Sequence, residues 1–456
     1  MSESTKWRQN WHRDAELRGT LWRLAWPTVS EQLLISLVAM IATAMIGRLS
    51  TVALSAVGVV NMTVTVIQSL LAILSMGATV VIARLTGAGE HTEAQSAARQ
   101  TLLGAFVVAV VLPLLLWVFA RQILTAFLSQ AEEAVVENAL LYFKAQLPGI
   151  PFFIVNLVVS GIFRGAGEMR KPMAIALVVN ALSLLFGYPL IFGIGGFQGL
   201  GIRGMGIAMS FARTVGGLVI LSILLGGRAK IQVPRIGLFR WNGTMLRRVL
   251  RIGIPASLEQ VALMGGNLMV QIVIALMPTR DMAAHQVLSA LASVPRNMIL
   301  GLGMATTTLA GHYLGAGRAD LAQRGTLQAV ALGGISNLLS YLIFFFIQPL
   351  SSIFSSDTAV LATVYRVVLF YVIAETLLSP LNVLPAALRA GGDILFVSYS
   401  NILGVILLRV GGTYLLSQCF GLGIEALYFT MGVDYTLRTL AYVIRMRGGK
   451  WKHIKV

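Results

Sequence analysis

The chain has 456 residues, 57% of them hydrophobic and only 12% charged, with a mean hydropathy of +0.80. Soluble domains carry about 25% charged residues, so this composition excludes an ordinary water-soluble domain and predicts an all-α polytopic membrane protein. A net charge of +17 would suit a nucleic-acid partner, but its placement argues against one, and the lone Cys419 excludes an intramolecular disulfide or a thiolate metal cluster.

The segment 1–23 holds five Lys and Arg side chains and several tryptophans. It lacks a small-residue cleavage site, so no removable signal peptide is expected. Apolar runs of about 20 residues, each able to cross a bilayer, then follow one another. Twelve are predicted, at 24–47, 57–83, 100–120, 139–162, 173–194 and 204–226, then at 252–278, 284–311, 327–348, 363–386, 395–416 and 425–444. The predicted domains are an N-terminal segment 1–23, an N-lobe 24–226, a connector 227–251, a C-lobe 252–444 and a basic tail 445–456. With the N-terminus inside, 25 of the 35 Lys and Arg residues fall on the cytoplasmic side and only Arg48, Arg121, Arg203 and Arg280 outside. The positive-inside rule therefore predicts a multi-pass protein of the plasma membrane, the inner membrane in a bacterial cell, with both termini cytoplasmic. The bilayer is the expected partner, nucleic acid is not, and a monomer is expected.

Two segments are near copies. Trp26-Pro27-Thr28-Val29-Ser30-Glu31-Gln32 recurs in the second half of the chain as Ile254-Pro255-Ala256-Ser257-Leu258-Glu259-Gln260. Gly87-Ala88-Gly89 recurs as Gly315-Ala316-Gly317 with the spacing that separates Pro27 from Pro255, and Gly199-Leu200-Gly201-Ile202 resembles Gly421-Leu422-Gly423-Ile424. Phe163-Arg164-Gly165-Ala166-Gly167-Glu168 resembles Leu388-Arg389-Ala390-Gly391-Gly392-Asp393. Six spans per copy is an even number, so the two halves share one orientation and are related by an axis along the membrane normal. The glycines suit helix ends that need positive φ in tight turns, and no phosphate-loop spacing is present.

Over nearly its whole length the chain resembles the multidrug and toxic compound extrusion (MATE) family. The residues that carry the resemblance are Thr43-Ala44-Met45-Ile46-Gly47-Arg48-Leu49, Pro255-Ala256-Ser257-Leu258-Glu259-Gln260 and Ala283-Ala284-His285-Gln286. Gly311, Leu314-Gly315-Ala316-Gly317 and Leu388-Arg389-Ala390-Gly391-Gly392-Asp393 complete it. The resemblance implies two pseudo-symmetric six-helix lobes around a central cavity. It also implies a secondary active antiporter that exports amphipathic, cationic compounds in exchange for H+ or Na+, with no other cofactor. The family often has acids in the first and fifth spans where this chain has Ala42 and the Gly187-Tyr188 pair.

Four carboxylates lie within spans and are the candidates for ion coupling: Glu31, Glu259, Glu375 and Asp434. A carboxylate inside a membrane helix costs a few kcal/mol on insertion scales, so each asks for a reason. Carboxyl groups removed from water can exchange protons in the physiological range, as a proton-coupled exchanger requires. Glu375 precedes Pro380 and Pro385, which free helix carbonyls for a cation or a polar ligand. Asp434 lies four residues before Arg438, the spacing of an intrahelical ion pair. Candidate cavity residues are Asn61, Gln68, Asn156, Asn180, Asn267, Gln271 and Asn382, with Asn401 as a further polar position. Met40 and Met264 stand for a methionine-rich, adaptable lining. Each could instead serve packing or helix–helix bonding. His285 is open to two readings, a bonded interface residue or a titrating one. The five histidines show no metal-ligand spacing, and no catalytic constellation occurs, so an enzyme is not expected. A lipid-linked saccharide flippase and a non-transporting receptor or scaffold are the competing readings.

Overall fold

The computed structural model describes residues 3–127, 133–227, 229–233, 240–352 and 357–454. The described chain is almost wholly helical. Twelve helices follow the twelve apolar runs: α1 Glu3–Gly47, α2 Thr51–Gly87, α3 His91–Val118, α4 Glu133–Gly165, α5 Arg170–Phe192 and α6 Ile202–Leu225. The second set is α7 Gly243–Ala275, α8 Thr279–Gly315, α9 Ala319–Phe345, α10 Thr358–Ala390, α11 Ile394–Phe420 and α12 Glu425–Arg447. Eleven are long and apolar enough to cross a bilayer, and α12 is 23 residues long but more charged. Their outer faces are apolar, as at Trp117, Val118 and Phe345, which are 63%, 60% and 77% exposed. That surface suits lipid and would be a liability in water.

Several boundaries differ from the sequence expectation, each for a local reason. Helix α1 runs on from Glu3 through Pro27 without breaking. The Thr28 hydroxyl lies within donating distance of the carbonyls of Leu24, Ala25 and Gly301, at 3.2, 2.9 and 2.8 Å, and its one proton is shared among them at the proline turn. Helix α7 begins at Gly243, inside the basic stretch read as connector. Between α5 and α6, a two-residue strand pair joins Gly193–Ile194 to Phe197–Gln198. In two of the repeated motifs one glycine of each copy takes positive φ at the matching place, Gly89 (76°) with Gly317 (71°) and Gly167 (77°) with Gly392 (86°), whereas in the third the positive φ falls at non-equivalent places, Gly201 (55°) and Gly421 (66°).

The chain divides into two compact units, residues 33–257 and residues 1–32 with 258–456. The first half of α1 thus packs with the C-terminal helices, and the first half of α7 with the N-terminal ones. In the first unit, Ser257 donates to Ser69 O at 2.6 Å, tying α7 to α2. In the second, Gly301 lies against the backbone of Thr28 and Val29.

The duplication extends to single hydrogen bonds. The Thr79 hydroxyl on α2 bonds Ser75 O (2.8 Å) and crosses to Gly161 O on α4 (3.0 Å). Thr307, at the matching position of the second copy, bonds Gly303 O (3.1 Å) on α8 and crosses to Ala386 O on α10 (3.4 Å). Small residues let these helix pairs approach, and the hydroxyls fasten them where no water competes.

Candidate functional site

All four candidate coupling carboxylates lie in the unit formed by residues 1–32 and 258–456, and all are buried. The unit of residues 33–257 carries none of them. This follows from the exchange of helix halves, which takes Glu31 with the C-terminal helices.

Glu259, on α7, is 2% exposed and sits under three donors. Arg389 Nη2 meets its Oε1 at 2.5 Å, Ser398 donates to Oε2 at 3.1 Å, and the Asn401 amide donates to Oε1. Asn401 passes the connection on: its Oδ1 accepts from Arg438 Nη1 (2.6 Å) and from the Tyr442 hydroxyl (2.8 Å). Arg438 then grips Asp434 through Nε and Nη2 at 2.6 and 2.5 Å. Asp434 also accepts from Arg409 Nη2 at 2.9 Å, and Arg409 and Arg438 both stack near the Tyr435 ring. The expected Asp434–Arg438 pair is therefore present, as part of a larger network across α7, α10, α11 and α12. A π-helical stretch, Gly404–Gly411, carries Arg409 into it, a local change of helix pitch of the kind that frequently marks functional sites.

Glu375 is placed differently. It is 1% exposed, and among the described residues its ion pair is a long contact, 3.5 Å, to Arg296, whose side chain is 45% exposed. Its second oxygen, Oε2, is buried without a hydrogen-bond donor. The helix breaks immediately after it, at Leu377, where the main chain restarts toward Pro380 and Pro385. The Thr376 carbonyl, four residues before Pro380, does not stay open for a cation: the Asn337 amide donates to it at 2.9 Å. His285 is held at both ring nitrogens, by the Tyr428 hydroxyl (3.0 Å) and by Ser289 (3.3 Å). That arrangement is the bonded interface histidine.

The candidate cavity residues divide between the units. Met40, Asn61, Gln68, Asn156 and Asn180 fall in one, and Met264, Asn267, Gln271 and Asn382 in the other. Asn61, Gln68, Asn267, Gln271 and Met40 are exposed, while Asn382 bonds its own helix at Leu378 O (2.9 Å) and Asn156 accepts weakly from Ser160 (3.4 Å). Asn401 serves the charge network. Arg389, Ser398, Arg409 and Tyr442 belong to that network and are not among the site residues expected from the sequence. A signal for Arg389 does exist there, because Arg164 and Arg389 hold the same place in matching motifs of the two halves. One cavity of about 420 Å³ lies in the unit of residues 1–32 and 258–456, lined by Trp22, Trp26, Val29, Met298, Leu302 and Ser336 among others. It has the size and apolar character of a small-molecule pocket.

Two related sets of apolar helices, one of them enclosing a linked series of acidic and basic side chains, define a polytopic membrane protein with ionisable groups in its interior. The chain belongs to the MatE family, which it matches over residues 27–189 and 255–415, once in each half. It is 29% identical over 442 residues to the "Probable multidrug resistance protein NorM" of Thermotoga maritima, covering 96% of this chain and 94% of that one. It is 27% identical to a protein of the same description from Deinococcus radiodurans, covering 96% and 97%. The fold matches a solved MOP superfamily transporter from Pyrococcus furiosus with a TM-score of 0.88 at 20% identity, over 96% of this chain and 97% of that chain.

Proposed function

We propose that this protein is a secondary active exporter of amphipathic organic compounds, cationic ones among them, driven by inward movement of H+ or Na+, with H+ favoured. The relatives described as multidrug resistance proteins and the apolar cavity lined by Trp22 and Trp26 support the substrate class. The coupling reading is carried by one observation. Glu375 is buried but loosely held, whereas Glu259 and Asp434 are each clasped by arginine. A carboxylate locked to a guanidinium gains little from a proton. One with an unbonded oxygen and a single long contact can gain and lose it as the lobe moves. Glu31 and Glu259 are secondary candidates, and Asp434 is assigned a structural role.

The test is dye export from proteoliposomes, driven in turn by a pH jump and by a Na+ jump. The parent should respond to the pH jump. Glu375→Gln should bind dye as the parent does yet lose at least about tenfold in pH-driven rate, the loss expected when an acid–base group is removed. Undiminished pH-driven export in Glu375→Gln would sink the assignment. A response to Na+ alone would move the coupling to a cation site.

The same reading puts both termini in the cytoplasm and the turn between α11 and α12 outside. Cys419, the sole cysteine, is exposed in the last turn of α11, next to that connection. A membrane-impermeant maleimide should label it on intact cells. Labelling only after permeabilisation would invert the topology.

A further inference from the structure

The unit of residues 33–257 holds an arginine that the coupling reading does not use. Arg213 stands midway along α6, between Ile202 and Leu225. At 1.5 Å per residue that is ~17 Å from either end, close to the middle of the bilayer. A guanidinium at that depth is costly unless it meets an anion or a carbonyl.

Among the described residues, its surroundings supply no anion. Arg213 Nη1 donates to Gln146 Oε1 at 3.0 Å, and the guanidinium lies 4.8 Å from the Phe153 ring centre. The titratable neighbour in electrostatic reach is the Tyr142 hydroxyl, whose own contact is a thioether, Met209 Sδ, at 4.0 Å. The described acids of this unit, Glu90, Glu93, Glu133, Glu137 and Glu168, all stand near helix ends or turns.

The polarity of what is left over is uniform. Arginine only donates, so it fixes the Gln146 amide with its oxygen toward Arg213. That leaves Gln146 Nε2, itself fully buried, as a donor with no acceptor. Arg213 is only partly buried and has further N–H groups beyond the one it uses. Guanidinium and amide thus stand together as a pair with donors to spare, the Tyr142 phenol in electrostatic reach and no carboxylate bonded to either among the described residues. We infer that Arg213, with Gln146 beside it, is a binding site for the anionic group of a transported amphipath, a carboxylate or phosphate, zwitterions included. The aromatic face of Phe153 would pack the adjoining ring. The inference rests on the export reading only in making the anion part of a transported compound.

Dansylglycine and dansylglycinamide differ in the carboxylate alone, and their binding to purified protein in phosphatidylcholine nanodiscs can be followed by dansyl fluorescence. The parent should bind dansylglycine about tenfold more tightly, the order expected of one hydrogen-bonded charge pair. Arg213→Gln should bring the two affinities together, and Arg213→Lys should keep part of the difference. Gln146→Glu supplies an internal carboxylate, so it should abolish the preference while its unfolding temperature equals or exceeds that of the parent. This variant answers the question even if Arg213→Gln does not fold. Equal binding by the parent, or an intact preference in Gln146→Glu, would overturn the site. Loss of the preference in phosphatidylglycerol nanodiscs would support the site and identify a lipid headgroup as its anion. Preference without export of either compound leaves the site standing and removes the export reading. Export of a cationic dye without the preference does the reverse.

Discussion

The two compact units are built from copies of one six-helix plan, yet they treat charge in opposite ways. In the unit of residues 1–32 and 258–456, Glu259, Asp434, Arg389, Arg409 and Arg438 form a continuous network in which Glu259, Asp434 and Arg438 are buried and Arg389 and Arg409 partly so. In the unit of residues 33–257, the helices are fastened by hydroxyls, glycines and apolar contacts, and Arg213 has a neutral side chain as its partner. Duplication therefore preserved the packing and not the electrostatics. Packing between apolar helices is set by side-chain size, which both copies must satisfy to fold. Buried charge is expensive, and a copy keeps it only where a specific partner or task offsets the desolvation.

The largest effect should come from the centre of the network. Asp434 is fully buried between two guanidiniums. Asp434→Asn leaves both facing a neutral amide, so it should cost about 3–5 kcal/mol, the range for breaking a buried ion pair from one side. Thermal unfolding of the purified protein measures it. An unchanged unfolding temperature would mean that the network is solvated, and the contrast between the units would lose its basis.

What is legible in the sequence follows from the range of each interaction. The twelve helices are readable because hydrophobic length is a local property, and the turn glycines because positive φ is a property of one residue. The Asp434–Arg438 pair is readable because its spacing lies within one helix. The rest of the network is not. Arg389 belongs to a motif expected on the cytoplasmic side, yet its side chain reaches Glu259, far away in the chain on another helix. Arg409 enters through a π-helical stretch that no periodicity announces. A proline at 380 removes the helix donor for the Thr376 carbonyl, which the sequence does show. The Asn337 amide that closes that carbonyl comes from another helix, which the sequence does not. The short strand pair at Gly193–Gln198 escapes for a simpler reason, since so short a pairing flanked by glycine carries no period.

A middle-sized effect should come from the close approach of α2 and α4. A methyl group at Gly161 would stand 2.6 Å from Ser75 O and 2.7 Å from its hydroxyl. Backbone cannot move aside as a flexible side chain can. Gly161→Val should therefore cost about 1–3 kcal/mol by overpacking, measured in the same thermal assay. The matching position on α10 is Ala386, which already carries a methyl group and is buried. Ala386→Gly should consequently cost less than Gly161→Val. A larger loss for Ala386→Gly would show that the two helix pairs do not share one packing rule.

The smallest effect is the most direct check on what the copies share. Thr79 and Thr307 hold matching positions in the two copies, are buried, and each sends a hydroxyl to its own helix and across to the next. Valine keeps the shape and removes the donor. The carbonyl each hydroxyl loses within its helix still holds its backbone partner, so only the cross-helix bond is at stake. Such bonds between membrane helices average about 0.6 kcal/mol. Thr79→Val and Thr307→Val should each lower stability by about that amount, and the double variant should lose about the sum, because the two sites lie in separate units. Equal small losses would show that the fastening is common to both copies while the charge network belongs to one. A loss at Thr307 several times that at Thr79 would mean that the charged unit has rebuilt its packing as well, and that the two halves diverged in more than electrostatics.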